Sequence, residues 1–551
     1  MQGGAFQSSA RGLVKLYSLS IARSLVVGLR DHDSSLAAYL RWFWHSRTFR
    51  TKGKLRPLDR PLVVLLVATM LSQIVAGVWL LIDWAKNGTV GGLAFGAALL
   101  VSYPLVIAHL LPLGMAVRRL IYHIFHPKKL GKAVLASILE RQVKQLRRKH
   151  PVVVVAVAGS IGKTSTKLAI AELLGQNLRV RYQAGNYNDR LTVPLIFFGQ
   201  AAPSIFNIFA WARIIGENTA SVEHPYPYDV VVVEIGTDGP GQMKQFAYLK
   251  PDVTVLTAVT PEHMAFFGTL DAVAQEELTV FDYSKRMLVN GDNVPGKYLI
   301  GREFMEYSTL TNASHNYYAS SKRRTLQGQE LHIEFPPGLA TGTCTAKTSF
   351  IGQQGASIVL AAAATADMLG MDRRLIGDSI GTLTAFPGRM QLLPGRKDST
   401  IIDDTYNATP EPVMRALDVL YAAKAPQHIA ILGSMNELGA YTKEAHEIVG
   451  TYCDPAKLDM VVTVGVTARR WLAPAATAVG CQVHSFHSPY DAGTFVQKRL
   501  KKGAIVLAKG SQNGVFTEEA IKQLLAHPSD SDKLVRQSRY WLCIKAKQFS
   551  D

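Results

Sequence analysis

Cysteine is scarce in this chain of 551 residues. The four cysteines, at positions 344, 453, 481 and 543, include no C-x-x-C pair. Zinc ribbons, redox pairs and disulfide frameworks need closer or more numerous cysteines, so the sequence supports none of them. A reducing, cytosolic setting suits the folded part of such a chain.

Acidic residues are also comparatively few: the chain has 42 Asp and Glu residues against 60 Lys and Arg residues, which gives a net charge of +18. Nucleic acid, an anionic membrane surface or phosphorylated substrates would each account for this excess. The basic residues concentrate at 41–60 and 118–149, on the flanks of uncharged segments. This position favours a membrane lipid partner and no nucleic acid, with a merely solvated basic surface as the alternative.

Two long segments carry no charge at all. Residues 61–82 would span about 30 Å as a helix, the thickness of a bilayer core. Residues 91–117 form a softer second stretch that contains Pro104 and Pro112. We therefore predict a two-helix transmembrane hairpin over 61–117, with both basic ends in the cytoplasm. A cleaved signal peptide is not expected, since the first apolar block begins too far along the chain.

The segments on either side of this hairpin are basic. Residues 1–60 either lie along the membrane surface or form a small soluble helix. Residues 118–150 are predicted to be a basic linker helix that leads to the remaining chain.

Beyond Pro151, apolar strand-like runs alternate with helical patterns. VVVVAVA, DVVVVEIG, DVTVLTAV and RMLVN predict a mostly parallel α/β sheet over residues 151–392. The alternation restarts after Gly388 with STIIDD, HIAILG, MVVTVG and AIVLAKG. A second α/β domain is predicted over residues 393–551.

A glycine-rich turn, AGSIGKTS, joins the first of these strands to a helix. Its backbone N–H groups and the helix N-terminus would cradle ATP phosphates. Lys163 would pair the outer phosphates, and Thr164, or else Ser165, would hold Mg²⁺. Val157 stands where the full phosphate-loop pattern has its first glycine, so a turn without a ligand is the alternative. The residues predicted to bind ATP here are Gly159, Ser160, Ile161, Gly162, Lys163, Thr164 and Ser165.

Glu234 ends the apolar run DVVVVE. A carboxylate buried there would be costly without a cation, and Mg²⁺ prefers oxygen ligands. Glu234 is therefore a candidate metal ligand, and a solvated strand-end carboxylate is the alternative.

Further segments follow in a fixed order: GNYNDRLTVP, VVEIGTDGPGQM, TAVTPEHMAFFGTLDAVAQEE, FPGRMQLL, IIDDTYNATP, GSMNELG and LAKGS. Together with AGSIGKTS they resemble the Mur ligase family over about residues 151–520, and within it the branch that adds D-alanyl-D-alanine. The resemblance implies a P-loop ATPase domain and a Rossmann-like C-terminal domain. It also implies an ATP- and Mg²⁺-dependent peptide ligase that joins D-alanyl-D-alanine to a muramoyl-tripeptide through an acyl phosphate.

The resemblance also implies roles for individual residues. His263 would hold a second Mg²⁺, and Arg389 would reach the ATP phosphates; with Lys163 they form the catalytic set. The remaining roles are the base and ribose contacts and the substrate contacts, assigned respectively to Asp404, Tyr406 and Asn407, and to Asn186, Asn188, Lys509 and Ser511.

The chain departs from the family pattern at several positions. Glu277 stands where the family has a carbamylated lysine; it keeps the negative charge on a shorter side chain and is a candidate metal ligand, with Glu276 as the alternative. Gln354 and Ile358 replace family residues in a nucleotide-contacting segment, and Thr192 replaces a glycine.

The resembled soluble ligase carries a UDP-binding N-terminal domain where this chain has its apolar segments. A lipid-linked acceptor is therefore an alternative to a UDP-linked one. An amidating synthase on a lipid-linked precursor and a degenerate ATP-binding membrane scaffold are further alternatives. The expected location is the bacterial cytoplasmic membrane, with the catalytic domains facing the cytoplasm, and the sequence indicates no oligomeric state.

Overall fold

The computed structural model describes residues 23–27, 60–88, 90–98, 127–183, 185, 187–310, 316–337 and 342–549. The chain divides into two compact units, residues 1–131 and 132–551. Each unit is described by itself.

The main feature of the first unit is helix α1, Arg60–Asn87. Several of its apolar side chains face outward, since Val64, Val75 and Trp79 are each about two-thirds exposed. Over Leu66–Asn87 this is the one helix among the described residues that is long and apolar enough to cross a membrane.

The predicted two-helix hairpin is not supported. The described residues contain one candidate span, Leu66–Asn87, and in the second apolar segment they are helical over 90–98. The remainder of that segment, 99–117, lies outside the described residues. So do most of residues 1–59, where 23–27 are helical.

The predicted basic linker contains helix α2, Pro127–Lys149. Within the second unit, Ala136, Leu139, Val143 and Leu146 are buried at helical spacing. Leu139 packs with Trp211 and other apolar residues of the second unit. From residue 132 onward the helix is therefore part of the folded core and not a free tether.

Polar contacts also bind this helix to the second unit. Nε2 of Gln142 donates to the Ile215 carbonyl at 2.8 Å, and the Asn218 amide donates to Oε1 of Gln142 at 3.1 Å. Arg147 forms an ion pair with Asp252 at 2.8 Å. Both ends of the Gln142 amide are therefore paired, whereas Oδ1 of Asn218 has no hydrogen-bond partner among the described residues.

The larger sheet has nine strands in the order β2-β3-β1-β4-β5-β6-β7-β8-β9. The first seven strands in this spatial order, from β2 through β1 to β7, pair in parallel, as the buried valine-rich runs predict. The strands are β1 Val153–Ala158, β2 Val180–Arg181, β3 Val230–Glu234, β4 Val253–Leu256, β5 Met287–Asn290, β6 Met305–Ser308, β7 Tyr317–Thr325, β8 Gly328–Glu334 and β9 Thr343–Thr348.

Strands β7 to β9 form an antiparallel extension that the sequence reading did not foresee. Buried positions alternate with partly exposed ones along β8 and the first half of β7, and the end of β7 is exposed, so these strands lack the continuous apolar runs of the parallel strands. Gly328, with φ 136°, closes the turn between β7 and β8.

Apolar clusters cover both faces of this sheet. One face is covered by α3 and α8, whose alanines at 361–364 are fully buried. The helices of this region are α3 Lys163–Gly175, α4 Val193–Phe198, α5 Ile208–Glu223, α6 Met264–Phe267, α7 Leu270–Glu277, α8 Gly352–Met368 and α9 Arg373–Ile380. Short 3₁₀ turns occupy Met243–Leu249, Leu278–Asp282 and Gly296–Tyr298.

The second sheet has six strands in the order β10-β11-β15-β12-β13-β14. All its pairs are parallel except the antiparallel edge pair β10–β11. Its strands are β10 Gln391–Pro394, β11 Thr400–Asp404, β12 His428–Gly433, β13 Met460–Val464, β14 Val483–Phe486 and β15 Ile505–Lys509.

Helices again lie on both faces of this sheet, as its two apolar clusters show. They are α10 Pro410–Ala422, α11 Thr442–Tyr452, α12 Ala473–Ala478, α13 Pro489–Arg499, α14 Glu518–Lys522 and α15 Arg539–Phe549. Short 3₁₀ turns occupy Arg396–Asp398, Gly439–Tyr441 and Pro528–Lys533, and a π turn occupies Ala468–Leu472. The second unit is thus a mixed α/β structure with two largely parallel sheets.

Candidate active site

The glycine-rich turn joins the carboxyl end of β1 to the start of α3, where backbone N–H groups are free to meet an anion. Gly159 has φ 118°, and a Cβ there would meet Oγ1 of Thr257 at 2.5 Å and the Ala258 nitrogen at 2.8 Å. Thr257 in turn donates to the Ile161 carbonyl at 2.6 Å. Close contact with the end of β4 therefore fixes the shape of this turn.

Lys163 folds back over this turn. Its Nζ donates to the Gly159 carbonyl at 2.5 Å and lies 3.4 Å from Oε2 of Glu262. Burial works against the ammonium, but the carboxylates of Glu262, Glu277 and Glu234 together raise the pKa of Lys163. The lysine therefore carries a positive charge in the position where an anionic ligand would meet it.

Glu234 ends β3 with its carboxylate buried. Its Oε2 lies 3.3 Å from Nζ of the equally buried Lys167, yet it has no hydrogen-bond partner within the described part of the chain. Burial lowers the pKa of Lys167, and the Glu234 carboxylate opposes this effect. A buried oxygen with unused acceptor capacity is a suitable ligand for a hard cation.

His263 lies at the start of α6 with a left-handed φ of 49°. Its Nε2 is 3.6 Å from Glu262 and 3.7 Å from Asp238, and its Nδ1 is 3.5 Å from Glu437. Three carboxylates thus surround one imidazole, and Glu437 comes from the C-terminal region. Burial raises the pKa of Glu262, although Lys163 and His263 oppose this.

Residues of the second sheet form the opposite wall. Asp404 accepts a hydrogen bond from Nζ of Lys509 at 2.5 Å and another from the Met390 N–H at 3.2 Å. Lys509 also donates to the Asn407 carbonyl at 3.0 Å, so its buried ammonium is already paired. This buried pair holds the strand ends of β11 and β15 together.

Arg389 connects the two walls. Its guanidinium carbon lies 3.9 Å from the centre of the Tyr406 ring, and its Nη1 lies 3.3 Å from Oγ of Ser165. The cation is thus stacked on the C-terminal wall and directed at the glycine-rich turn.

All these elements enclose one cavity of about 220 Å³. The predicted site residues that line it are Ser160, Ile161, Gly162, Lys163, Thr164, Ser165, Asn188, Glu234, His263, Arg389, Asp404, Tyr406, Asn407 and Lys509. A smaller cavity of about 50 Å³ adjoins it and shares Ile161 and Gly162. Asn290, Asp292 and Ser357 give this smaller cavity a polar lining.

Two family models match the chain. The Mur ligase middle domain matches residues 214–366, and the Mur ligase glutamate ligase domain matches residues 388–512. The chain belongs to the Mur ligase family. Residues of both matched regions line the cavity of this Mur ligase, together with the glycine-rich turn that precedes them.

Named relatives agree with this assignment. The chain is 27% identical, over 456 residues, to the UDP-N-acetylmuramoyl-tripeptide–D-alanyl-D-alanine ligase of Escherichia coli, covering 80% of this chain and 87% of that one. It is 25% identical over 382 residues to the ligase of the same name from Bacillus subtilis, covering 68% and 76%.

Solved structures share the fold. MurF from Acinetobacter baumannii matches with a TM-score of 0.57 at 20% identity, over 70% of this chain and 78% of that one. MurF ligase from Thermotoga maritima in complex with ADP matches with a TM-score of 0.55 at 22% identity, over 70% and 83%.

Several predicted residues of this Mur ligase do not line the cavity. Glu277 lies behind the turn, where its carboxylate accepts the Gly159 N–H at 2.9 Å; burial raises its pKa to about 7. The alternative, Glu276, accepts the N–H groups of Gly241 and Met243 at 2.6 and 2.7 Å. Its acceptor capacity is therefore used by the backbone.

Ser511 is buried outside the cavity. It donates to the Ala408 carbonyl at 3.1 Å and accepts from the Asn436 N–H at 3.0 Å. Asn186 lies outside the described residues, whereas Asn188 lines the cavity.

The sequence reading missed four charged groups of this site: Glu262, Asp238, Glu437 and Lys167. Lys167 lies four residues after Lys163, one helical turn along α3, and this spacing was an available signal. Glu262 adjoins His263, and the sequence again offered that signal. The approach of Glu437 to His263 depends on the contact between distant segments, which no local pattern encodes.

Proposed function

We propose that this Mur ligase uses ATP to join D-alanyl-D-alanine to a muramoyl-tripeptide precursor of the cell wall. Relatives from Escherichia coli and Bacillus subtilis carry the name of that activity. The observation that supports it in this chain is the single cavity onto which Lys163, Glu234, His263 and Arg389 converge.

The residues present suit a nucleoside triphosphate with Mg²⁺. Gly159 lets the turn lie against β4 without a clash, and Lys163 presents its ammonium beside the N-terminus of α3. The oxygens of Thr164 and Glu234 and the imidazole of His263 would hold Mg²⁺. Among the described residues no group of three His, Cys, Asp or Glu side chains forms a metal site. Mg²⁺ usually combines one or two carboxylates with water and substrate phosphates.

ATP would supply the phosphoryl group that activates the peptide carboxylate. Bringing this carboxylate to a triphosphate places anions together, so positive charge must be present beforehand. Lys163 and Arg389 supply it from opposite walls of the cavity. Arg389 is held in place by its stack on Tyr406, so little reorganisation is needed when the phosphates arrive.

Purified protein with ATP, Mg²⁺, UDP-linked muramoyl-tripeptide and D-alanyl-D-alanine should yield the pentapeptide product, as detected by mass spectrometry. Lys163→Ala should abolish it, because the phosphates lose their main cation. Lys297→Ala, which removes an exposed surface lysine paired with Asp271, is the matched control and should retain activity. Unchanged turnover in Lys163→Ala would refute the mechanism.

The acceptor form can be tested in the same assay. A lipid-linked tripeptide turned over faster than the UDP-linked one would favour the membrane-substrate alternative. ATP hydrolysis that requires no peptide, or nucleotide binding without product, would favour amidation of another substrate or an inactive scaffold.

We further propose that the protein is anchored in the bacterial cytoplasmic membrane with the second unit in the cytoplasm. The uncharged, outward-facing apolar surface of α1 and the basic residues that precede it support this. The protein should stay in the membrane pellet after an alkaline wash. Val75→Arg would place a charge on an exposed position of α1, at a cost of about 3 kcal/mol for insertion, and should shift protein to the supernatant. Release of the wild type by the wash would refute the anchor.

A further inference from the structure

A balanced set of buried charges lies beyond residue 512, where the matched C-terminal domain ends. Glu518, Glu519 and Lys545 are 1% exposed or less, and the Arg536 side chain is 7% exposed. Two carboxylates thus face two cations in the interior. Such a set is tolerated only when every member is paired and hydrogen-bonded.

Arg536 makes four hydrogen bonds from its guanidinium. Nε and Nη2 donate to the two carboxylate oxygens of Glu518 at 2.8 and 2.7 Å. Nη2 also donates to the Thr405 carbonyl at 2.6 Å, and Nη1 to the Tyr406 carbonyl at 3.0 Å. The planar fork therefore ties a buried carboxylate to two consecutive backbone carbonyls, a geometry that lysine cannot reproduce.

Those two carbonyls belong to the segment that forms the C-terminal wall of the cavity. Tyr406 lines the cavity, and its ring carries Arg389, which reaches Ser165 of the glycine-rich turn. A shift of the backbone at Tyr406 would move the Arg389 guanidinium with it. Arg536 lies behind this wall and outside the cavity lining, so its effect on a nucleotide is indirect.

The last helix, α15, completes the arrangement. Lys545 contacts Glu518 at 2.9 Å and Glu519 at 2.6 Å, and it donates to the Arg536 carbonyl at 2.8 Å. Trp541 and Phe549 pack edge-on against Phe516, with ring centres 6.1 and 6.3 Å apart. The helix thus secures both the backbone and the carboxylate partner of Arg536.

We propose that Arg536 is a positioning residue for the nucleotide wall, and that α15 is the clasp that keeps it in place. This inference rests on the proposed function, because it assumes that ATP occupies the cavity. Through the Thr405 and Tyr406 carbonyls, Arg536 sets the position of the Tyr406 ring and therefore of Arg389.

Arg536→Lys keeps the charge and removes the fork. Arg373→Lys is the matched control, since Arg373 also joins a carboxylate, Asp367, to a backbone carbonyl, that of Pro336, away from the cavity. The full-length chain is measured in three ways: ATP affinity, melting temperature, and hydrogen–deuterium exchange of the peptide covering residues 404–409.

Arg536→Lys should weaken ATP binding about tenfold and speed exchange in 404–409, as expected for the loss of one or two charge-assisted hydrogen bonds. KM for D-alanyl-D-alanine should stay within about twofold. Arg373→Lys should lower the melting temperature without either nucleotide effect. If the two variants differ from wild type only in melting temperature, the positioning role is refuted.

Wild-type protein that fails to bind ATP would instead overturn the proposed function. The exchange measurement would still test the positioning role of Arg536 in that case. Exchange at 404–409 in Arg536→Lys that is as slow as in wild type would refute this role independently of any ligase activity.

Discussion

At the residue scale, Gly159 is where backbone conformation and close approach coincide. Its φ of 118° and the short distances from a Cβ to Thr257 and Ala258 both oppose a side chain. The Gly159 N–H and carbonyl are also used, by Glu277 and Lys163 respectively. One small residue thus links the end of β4, the carboxylate at the end of α7 and the Lys163 ammonium.

Gly159→Ala should distort the turn and weaken ATP binding by tenfold or more, with a loss of stability of about 1–3 kcal/mol. Gly175→Ala is the matched control: a Cβ there meets nothing within 4 Å, so stability should hold or rise slightly. Isothermal titration and chemical denaturation measure the two effects. Equal behaviour of both variants would contradict the steric argument.

Asp403 is a second residue with a measurable signature. It is fully buried, one carboxylate oxygen has no hydrogen-bond partner among the described residues, and burial raises its pKa to about 7. Since the folded state holds the proton more tightly than the unfolded state, its contribution to stability is complete below about pH 4. This contribution is lost as the pH rises through about 7.

Asp403→Asn replaces the protonated carboxyl with a neutral group of the same shape. Its free energy of unfolding relative to wild type should rise between pH 4 and pH 8, by up to about 4 kcal/mol. Denaturant titrations across that range provide the measurement. Parallel pH profiles for the two proteins would show that Asp403 ionises normally in the fold.

At the element scale, α2 is a helix with a largely polar sequence that nevertheless packs one face into the core. Its buried residues recur every three or four positions between lysines and arginines, so the average composition conceals the apolar stripe. Leu139 is fully buried among Leu191, Leu195, Trp211 and Ile214.

Leu139→Ala should cost about 2–5 kcal/mol of stability because it leaves a cavity in this cluster. Val134→Ala, on the same helix at a position 50% exposed, should change stability by less than about 0.5 kcal/mol. Urea denaturation of both variants distinguishes a packed helix from a tether, for which neither change would matter.

Which elements the sequence predicts follows from how strongly each is patterned. β1, β3, β4 and β5 are buried on both faces, so their apolar runs predicted a parallel sheet. The antiparallel strands β7 to β9 carry exposed lysine and arginine and offered no such run. Their pairing depends on the turn at Gly328 and on neighbours in space.

The site divides in the same way. The turn at Gly159–Ser165 and the carboxylate of Glu234 were predictable because strand, turn and helix are adjacent in the chain. Glu277 was assigned to metal from its place in a motif, yet the structure directs it to the Gly159 N–H. Side-chain direction depends on how α7 packs, and that information is not local.

At the scale of the whole molecule, the unit that begins at residue 132 contains both sheets and the cavity. The buried face of α2 belongs to it. The compact unit that contains the cavity therefore begins within α2, before the first strand.

A protein that begins at residue 127 should fold, bind ATP with the affinity of the full chain and remain in the supernatant after centrifugation. A protein that begins at residue 151 lacks Leu139, Val143 and Leu146 and should melt at least about 10 °C lower. Calorimetry of both proteins decides this. Equal melting temperatures would show that α2 contributes no stability.

Helix α2 ends only a few residues before β1, the strand that leads into the glycine-rich turn. With α2 helical and the residues after it extended, the backbone from Lys132 to Gly159 spans about 60 Å at most. An anchor on the chain before Lys132 would therefore keep the glycine-rich turn within about this distance of Lys132. If that anchor lies in a bilayer, the rate of encounter with a lipid-linked acceptor depends on the number of acceptors per membrane area. It then no longer depends on the concentration of acceptor in the surrounding volume.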